Sequence, residues 1–216
     1  MIRKDYFLRM IHQLARVLAK VLKLEAEERY DDALAEVGQS SKQLLGVGLP
    51  MLTTLSDAEL IRLMSLGDRF DVEKCMAAAE FLRMVGELKA LQGNEAASHS
   101  CSVTSLSLFL ELLSRETDVL PEEYSNMVED LIQTVSDHQL PLPLRQKLFR
   151  YYEYKGQFDL AENILSEVIE EESSFVAEGV RFYERLRLKS DEQLQRGNLP
   201  RNEVEDGIKT LEQQLK

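Results

Sequence analysis

Gly156-Gln157-Phe158-Asp159-Leu160-Ala161 joins two stretches of helical periodicity, and its residue types suit the corner of a helical hairpin. Glycine permits the tight turn because it has no Cβ, the aromatic caps the corner, and alanine lets the second helix approach the first closely. Leu148 and Tyr152 before the turn, and Ile164, Leu165 and Val168 after it, fall on inward faces, so a hairpin is expected over residues 142–171. Glu28-Arg29-Tyr30-Asp31-Asp32-Ala33 repeats the aromatic-x-x-alanine core, with Leu44 and Leu45 further on. Gly93-Asn94-Glu95-Ala96-Ala97 supplies another turn, between helices expected at 71–92 and 95–115.

Helical spacing continues between and beyond these turns. Phe7, Met10, Ile11, Leu14, Leu18, Val21 and Leu22 recur at three- and four-residue steps and predict an amphipathic first helix within residues 1–24. Ser56 with Glu59 has the spacing of a capping box, with Leu55 and Leu60 placed as its hydrophobic staple, after a break at Gly46, Gly48 and Pro50. Pro121 suits the first turn of a helix whose apolar face is Tyr124, Met127, Val128, Leu131, Ile132 and Val135. Pro141 and Pro143 close that helix and start the next, because proline cannot continue an interior hydrogen-bond ladder. After Pro200, Asn202 with Glu205 reads as a capping box, and Val204, Ile208, Leu211 and Leu215 form the stripe of a C-terminal capping helix, 201–216. The alternation in Ser102–Leu108 is short, and Leu106, Phe109, Leu110 and Leu113 fit a helix equally well, so no strand is expected. The fold class predicted is all-α, about ten helices with short connections, packed as antiparallel hairpins in a single domain over residues 1–216.

The segment 142–171 resembles a tetratricopeptide repeat, and the turns at Tyr30 and Gly93 resemble it in part. Two positions depart from that pattern: Phe149 stands where the family has a small residue, and Val168 where it has an alanine late in the second helix. The resemblance implies a short, irregular solenoid that binds through a concave surface lined by the first helix of each hairpin, where Gln146, Arg150 and Glu153 would face a partner. The opening residues, Met1 to Ile11, together with the Tyr30 turn, also look like those of an uncharacterised family of bacterial tetratricopeptide-like proteins, a resemblance that implies no function.

Composition narrows the function classes. The 216 residues are 44% hydrophobic, enough to bury a substantial core. No apolar run approaches the roughly 18 residues needed to cross a bilayer. Arg9, Gln13, Arg16 and Lys20 interrupt the opening apolar positions, unlike the unbroken stretch of a signal peptide, and a cytoplasmic location is expected. The formal charge is −12, yet residues 1–24 hold six basic side chains (Arg3, Lys4, Arg9, Arg16, Lys20, Lys23) against Asp5, a net of +5 that leaves −17 on the remainder. That body repels nucleic acid and anionic membranes at long range, so neither is the expected partner.

Arg9, Arg16, Lys20 and Lys23 lie roughly 200° around the first helix from its apolar stripe. They can be the solvated face of a terminal capping helix, can pair with acids of the same chain or of a second copy, or can contact an anionic surface or acidic partner. Catalytic constellations are not found. Cys75 and Cys101 are far apart and read as buried thiols; His12, His99 and His138 cannot be grouped from sequence; Glu25–Glu28 and Glu170–Glu172 lack the spacing of a calcium loop. Ser98-His99-Ser100-Cys101 contains nucleophile types without an orienting acid, and Gly46-Val47-Gly48 lacks the lysine of a phosphate-binding loop. The expected function is a non-enzymatic protein–protein interaction scaffold or adaptor, with no cofactor or metal and with a protein or peptide, or a second copy, as partner. The alternative is a regulatory or structural protein contacting an anionic membrane or nucleic acid through the basic first helix.

Overall fold

Glycines, prolines and capping side chains mark several of the helix ends among the described residues. The computed structural model describes residues 2–66, 69–115 and 123–214, and among these there are twelve α-helices, ten of them seven residues or longer. In order they are α1 (Ile2–Ala26), α2 (Tyr30–Leu45), α3 (Leu49–Thr54), α4 (Asp57–Leu63), α5 (Val72–Leu91), α6 (Glu95–Arg115), α7 (Glu123–Val135), α8 (Leu142–Lys155), α9 (Phe158–Glu171), α10 (Val176–Arg187), α11 (Asp191–Arg196) and α12 (Arg201–Gln214). The class is all-α, with sequential helices packed as adjacent pairs. One local feature runs against the expectation of no strand: Ser65–Leu66 (β1) pairs antiparallel with Arg69–Phe70 (β2), a two-residue ladder between α4 and α5.

Most of the boundaries follow the chemistry that predicts them. Gly156 ends α8 in the left-handed region at φ 73°, and the Gln157 N–H donates back to the Tyr152 carbonyl, 2.9 Å away. Ser56 and Glu59 form the reciprocal capping box, with Ser56 N donating to Glu59 Oε2 at 2.8 Å and Glu59 N donating to Ser56 Oγ at 3.3 Å. Asn202 does not cap α12. The helix already begins at Arg201, and the Glu203 and Val204 N–H groups donate to the Pro200 carbonyl instead. Pro121 and Leu215 lie outside the described residues.

The described residues divide between two compact units, 1–139 and 140–216. In the first, α5 is the hub: it packs on α1, α2, α3 and α6, and most of its circumference is buried. Small side chains let α5 and α6 approach closely. Ala77, Ala78 and Ala79 are fully buried, and the buried Ser105 hydroxyl donates to the Ala79 carbonyl at 2.8 Å, satisfying its own polar group across the interface. The first helix buries Met10, Leu14, Val17 and Val21 against α2 and α5, not the full predicted stripe; Ile11 and Leu18 are half-buried and Leu22 is exposed.

In the second unit, α8 pairs with α9 and α10 with α12. Phe149, whose bulk departs from the repeat pattern, is fully buried with its ring 5.2 Å from Phe182 and 5.8 Å from Phe175, both edge-on. Gly197 ends α11 directly against the Gly156 turn, and its carbonyl accepts from Asp159 N at 3.0 Å. A Cβ at 197 would sit 2.5 Å from the Gly156 carbonyl oxygen and against the buried Phe158 ring, neither of which can swing aside. Gly197→Ala is therefore expected to destabilise this unit by about 1–3 kcal/mol, the usual cost of overpacking. Urea unfolding followed by circular dichroism checks this, and an unchanged midpoint would show that the turn yields.

Candidate functional site

Helical periodicity puts Gln13, Arg16 and Lys20 on one wall of a groove, at steps of three and four along α1. Glu36, Gln39, Ser40 and Gln43 repeat the pattern on α2 and form the facing wall. The groove encloses about 330 Å³. Between the walls, the Lys20 ammonium sits 3.0 Å from Glu36 Oε1, which also accepts from Ser40 Oγ at 3.4 Å. Arg16, Gln13, Gln39 and Gln43 are all exposed, and no other side chain among the described residues engages them. The groove thus offers one unpaired guanidinium and three amides, each amide able to donate and accept.

The four basic residues singled out on α1 consequently divide. Arg16 and Lys20 reach the groove; Arg9 and Lys23 are exposed on the same helix outside it. Lys20 is partnered within the chain. Gln13, Gln39 and Gln43 escape a search for charge, and the signal that could have found them is their three- and four-residue spacing beside the basic positions.

In the second unit the expected concave positions are largely occupied. Gln146 Nε2 donates to Glu172 Oε2 at 2.7 Å, and Glu153 takes both arms of Arg185, at 2.7 and 2.8 Å, while Arg185 also reaches Glu178 at 3.1 Å. Hydrogen bonds to these carboxylates hold the Arg185 guanidinium above its usual range. Arg150 is exposed on the same face. Arg145, one residue before Gln146, is buried; it donates to the Leu140 carbonyl at 3.1 Å and pairs with Glu171, which makes it a tie between α8 and α9.

A family model matches residues 1–216. The chain belongs to DUF6483, a family of unknown function. No curated protein and no solved structure matches it. In this DUF6483 chain a further cleft, of about 460 Å³, lies between α5, α6 and α7, with Arg83, Glu87, Ser98, Ser102, Asn126 and Asp130 among its lining. Arg83 bridges Glu80 (3.1 Å) and Glu87 (2.5 Å) on its own helix, and burial pushes the Glu80 carboxyl above its usual range despite that neighbour. These charges are spent on one another.

The fold does group two of the DUF6483 chain's histidines. The rings of His99 on α6 and His138 after α7 stack 4.2 Å apart, and burial together with the facing imidazole lowers the His99 pKa. His12 remains exposed on α1. Among the described residues no three His, Cys, Asp or Glu side chains gather in a metal-binding group. Cys75 and Cys101 are buried as expected, and burial pushes the Cys101 thiol up. None of the described helices is long and apolar enough to cross a membrane.

Proposed function

We propose that this chain is a non-enzymatic protein-binding scaffold built from tetratricopeptide-like hairpins, and that the α1–α2 groove holds an extended, carboxylate-bearing segment of a partner. The observation that carries the reading is the set of unengaged groups in one groove: Arg16 with Gln13, Gln39 and Gln43. Amides at helical spacing can pair with the N–H and C=O groups of an extended backbone, as a neighbouring strand would, and a guanidinium takes a carboxylate in two parallel hydrogen bonds. The hairpin pairing of helices and the turn chemistry at Gly156 support the repeat reading. Because Gln146 and Glu153 are tied to Glu172 and Arg185, the α8 face is the weaker choice for the same task. The mechanism is recognition alone.

The test is a fluorescence-anisotropy titration with a labelled acidic peptide kept extended by interspersed prolines, against wild type and the triple variant Arg16→Glu, Gln39→Ala, Gln43→Ala. All three positions are exposed, so folding should survive. Loss of one charge-assisted hydrogen bond, about 1.5–3 kcal/mol, corresponds to a weakening of roughly tenfold or more. Equal binding by both proteins would remove the groove from consideration. Binding to anionic vesicles or nucleic acid in place of the peptide, lost with added salt, would favour the surface-contact alternative through the basic first helix.

A further inference from the structure

Helices α5 and α7 both pack on α6, and the cleft among the three is lined by one face of each. Arg83, Glu87 and Ala90 stand at steps of four and three along α5, and Ser98 and Ser102 lie one turn apart on α6. Met127, Asp130 and Leu131 share a face of α7 for the same reason. The space stays open because Gly86, Ala90, Ser98 and Ser102 are small. Its volume of about 460 Å³ lies within the range of small-ligand sites, about 300–1,000 Å³. Ser98 and Ser102 are only 7% and 4% exposed, yet neither hydroxyl has a hydrogen-bond partner among the described residues. Buried hydroxyls are ordinarily paired, as that of Ser105 is with the Ala79 carbonyl on the same helix interface. Asp130 is a further unspent group, making no ion pair among the described residues. Arg83, the cation of the lining, is already held by Glu80 and Glu87. One guanidinium against the carboxylates of Glu87 and Asp130 leaves the described lining with a net charge of −1.

We propose that this cleft binds a small aliphatic diamine, with one ammonium on the Asp130 carboxylate, the methylene stem along Met127, Leu131 and Ala90, and the other amino group on the Ser98 and Ser102 hydroxyls. Charge decides the class of ligand. An anion would meet Asp130 and Glu87 while the guanidinium of Arg83 is already shared between two carboxylates. A neutral diol can pair with the serines but leaves Asp130 without a counter-charge. An ammonium carries three donors and a hydroxyl oxygen accepts, so one amino group serves both serines. The charge of −17 on residues 25–216 also raises the local concentration of cations around this part of the chain. A lysine side chain of another protein offers the same ammonium, but only one of them. Asp130 and the serine pair are two polar stations on different helices, and a ligand with an amino group at each end satisfies both. This cleft is separate from the α1–α2 groove, so the two readings stand or fall independently.

The probes are 1,4-diaminobutane and its counterparts of equal carbon number, 1,4-butanediol and succinate, titrated against the full chain by isothermal calorimetry. The diamine should bind saturably, one per chain, and the diol and the diacid roughly tenfold more weakly or worse. Asp130→Asn, at an exposed position, should weaken the diamine roughly tenfold or more, and Ser98→Ala with Ser102→Ala roughly threefold or more. The serine variant also separates binding from a structural role. Hydroxyls without partners lose no hydrogen bond within the chain, so its melting temperature should equal or exceed that of wild type. Glu170→Gln, an exposed acid on α9 outside the cleft, should bind the diamine as wild type does. Absence of diamine binding overturns the proposal, as does a fall in the melting temperature of the serine variant with binding intact. Equal losses in Asp130→Asn and Glu170→Gln would show diffuse attraction to an acidic surface and overturn it too. So would tighter binding of Nα-acetyl-lysine methylamide, which would assign the cleft to a lysine side chain of another protein.

Discussion

Phe149→Ala is expected to destabilise the 140–216 unit by about 3–5 kcal/mol, the range for deleting a buried aromatic. Phe149 is fully buried, and its edge-on contacts with Phe175 and Phe182 link α8 to the start and the middle of α10. Such ring pairs add about 0.5–1.5 kcal/mol beyond area burial, so the alanine variant loses both transfer energy and oriented contacts. In a unit of this size each kcal/mol lowers the melting temperature by about 4–8 °C, so the unit should be largely unfolded at temperatures where wild type is intact. Thermal and urea unfolding by circular dichroism measures the change, and Phe149→Leu, which retains most of the volume, should recover much of it. A loss below about 1 kcal/mol would mean that α8 and α9 close up around alanine and that the ring has no structural hold on α10.

Arg83→Ala should cost an amount near the lower end of the roughly 3–5 kcal/mol seen when one partner of a buried ion pair is removed. Glu80 retains 8% of its side-chain exposure and Arg83 15%, so removing the guanidinium leaves a nearly dry carboxyl without its counter-charge. The pH dependence separates this cause from lost packing. Burial already sets the Glu80 pKa above its unfolded value, so its contribution to stability is present below the ordinary carboxylate range and is lost as pH rises through the folded pKa. Taking away Arg83 raises the folded pKa further, which deepens the loss and extends it to higher pH. The gap between variant and wild type should therefore be widest near neutrality and narrow on acidification. Glu80→Gln combined with Arg83→Ala should remove the pH-dependent part, and a gap independent of pH would assign the effect to the lost arginine stem.

Helix positions were legible in the sequence because their signals are local. The Gly156 turn, the Ser56–Glu59 capping box and the break around Gly93 each involve groups within a few residues of one another, and each appears where the spacing predicts it. Asn202 misleads because Pro200 already supplies the acceptor and the fixed backbone that start α12, leaving asparagine inside the first turn. The β1–β2 ladder has no alternating apolar pattern to announce it, being only two residues on each side. Of the candidate groove, the sequence yields Arg16 and Lys20; Glu36, Gln39, Ser40 and Gln43 belong to it only because α2 folds back along α1.

Local composition by itself determined that this chain is helical, where its hairpin turns fall, and that its first helix is basic, since each of these depends on periodicity, backbone freedom or charge within one segment. The tertiary structure decided which of the many apolar and charged residues are spent. It seats Phe149 in an aromatic cluster, pairs His99 with His138, ties Gln146 and Glu153 to partners in the chain, and covers only part of the apolar arc of α1. The reason is that burial and pairing depend on residues distant in sequence, and a single helix cannot encode how much of its own surface its neighbours will cover.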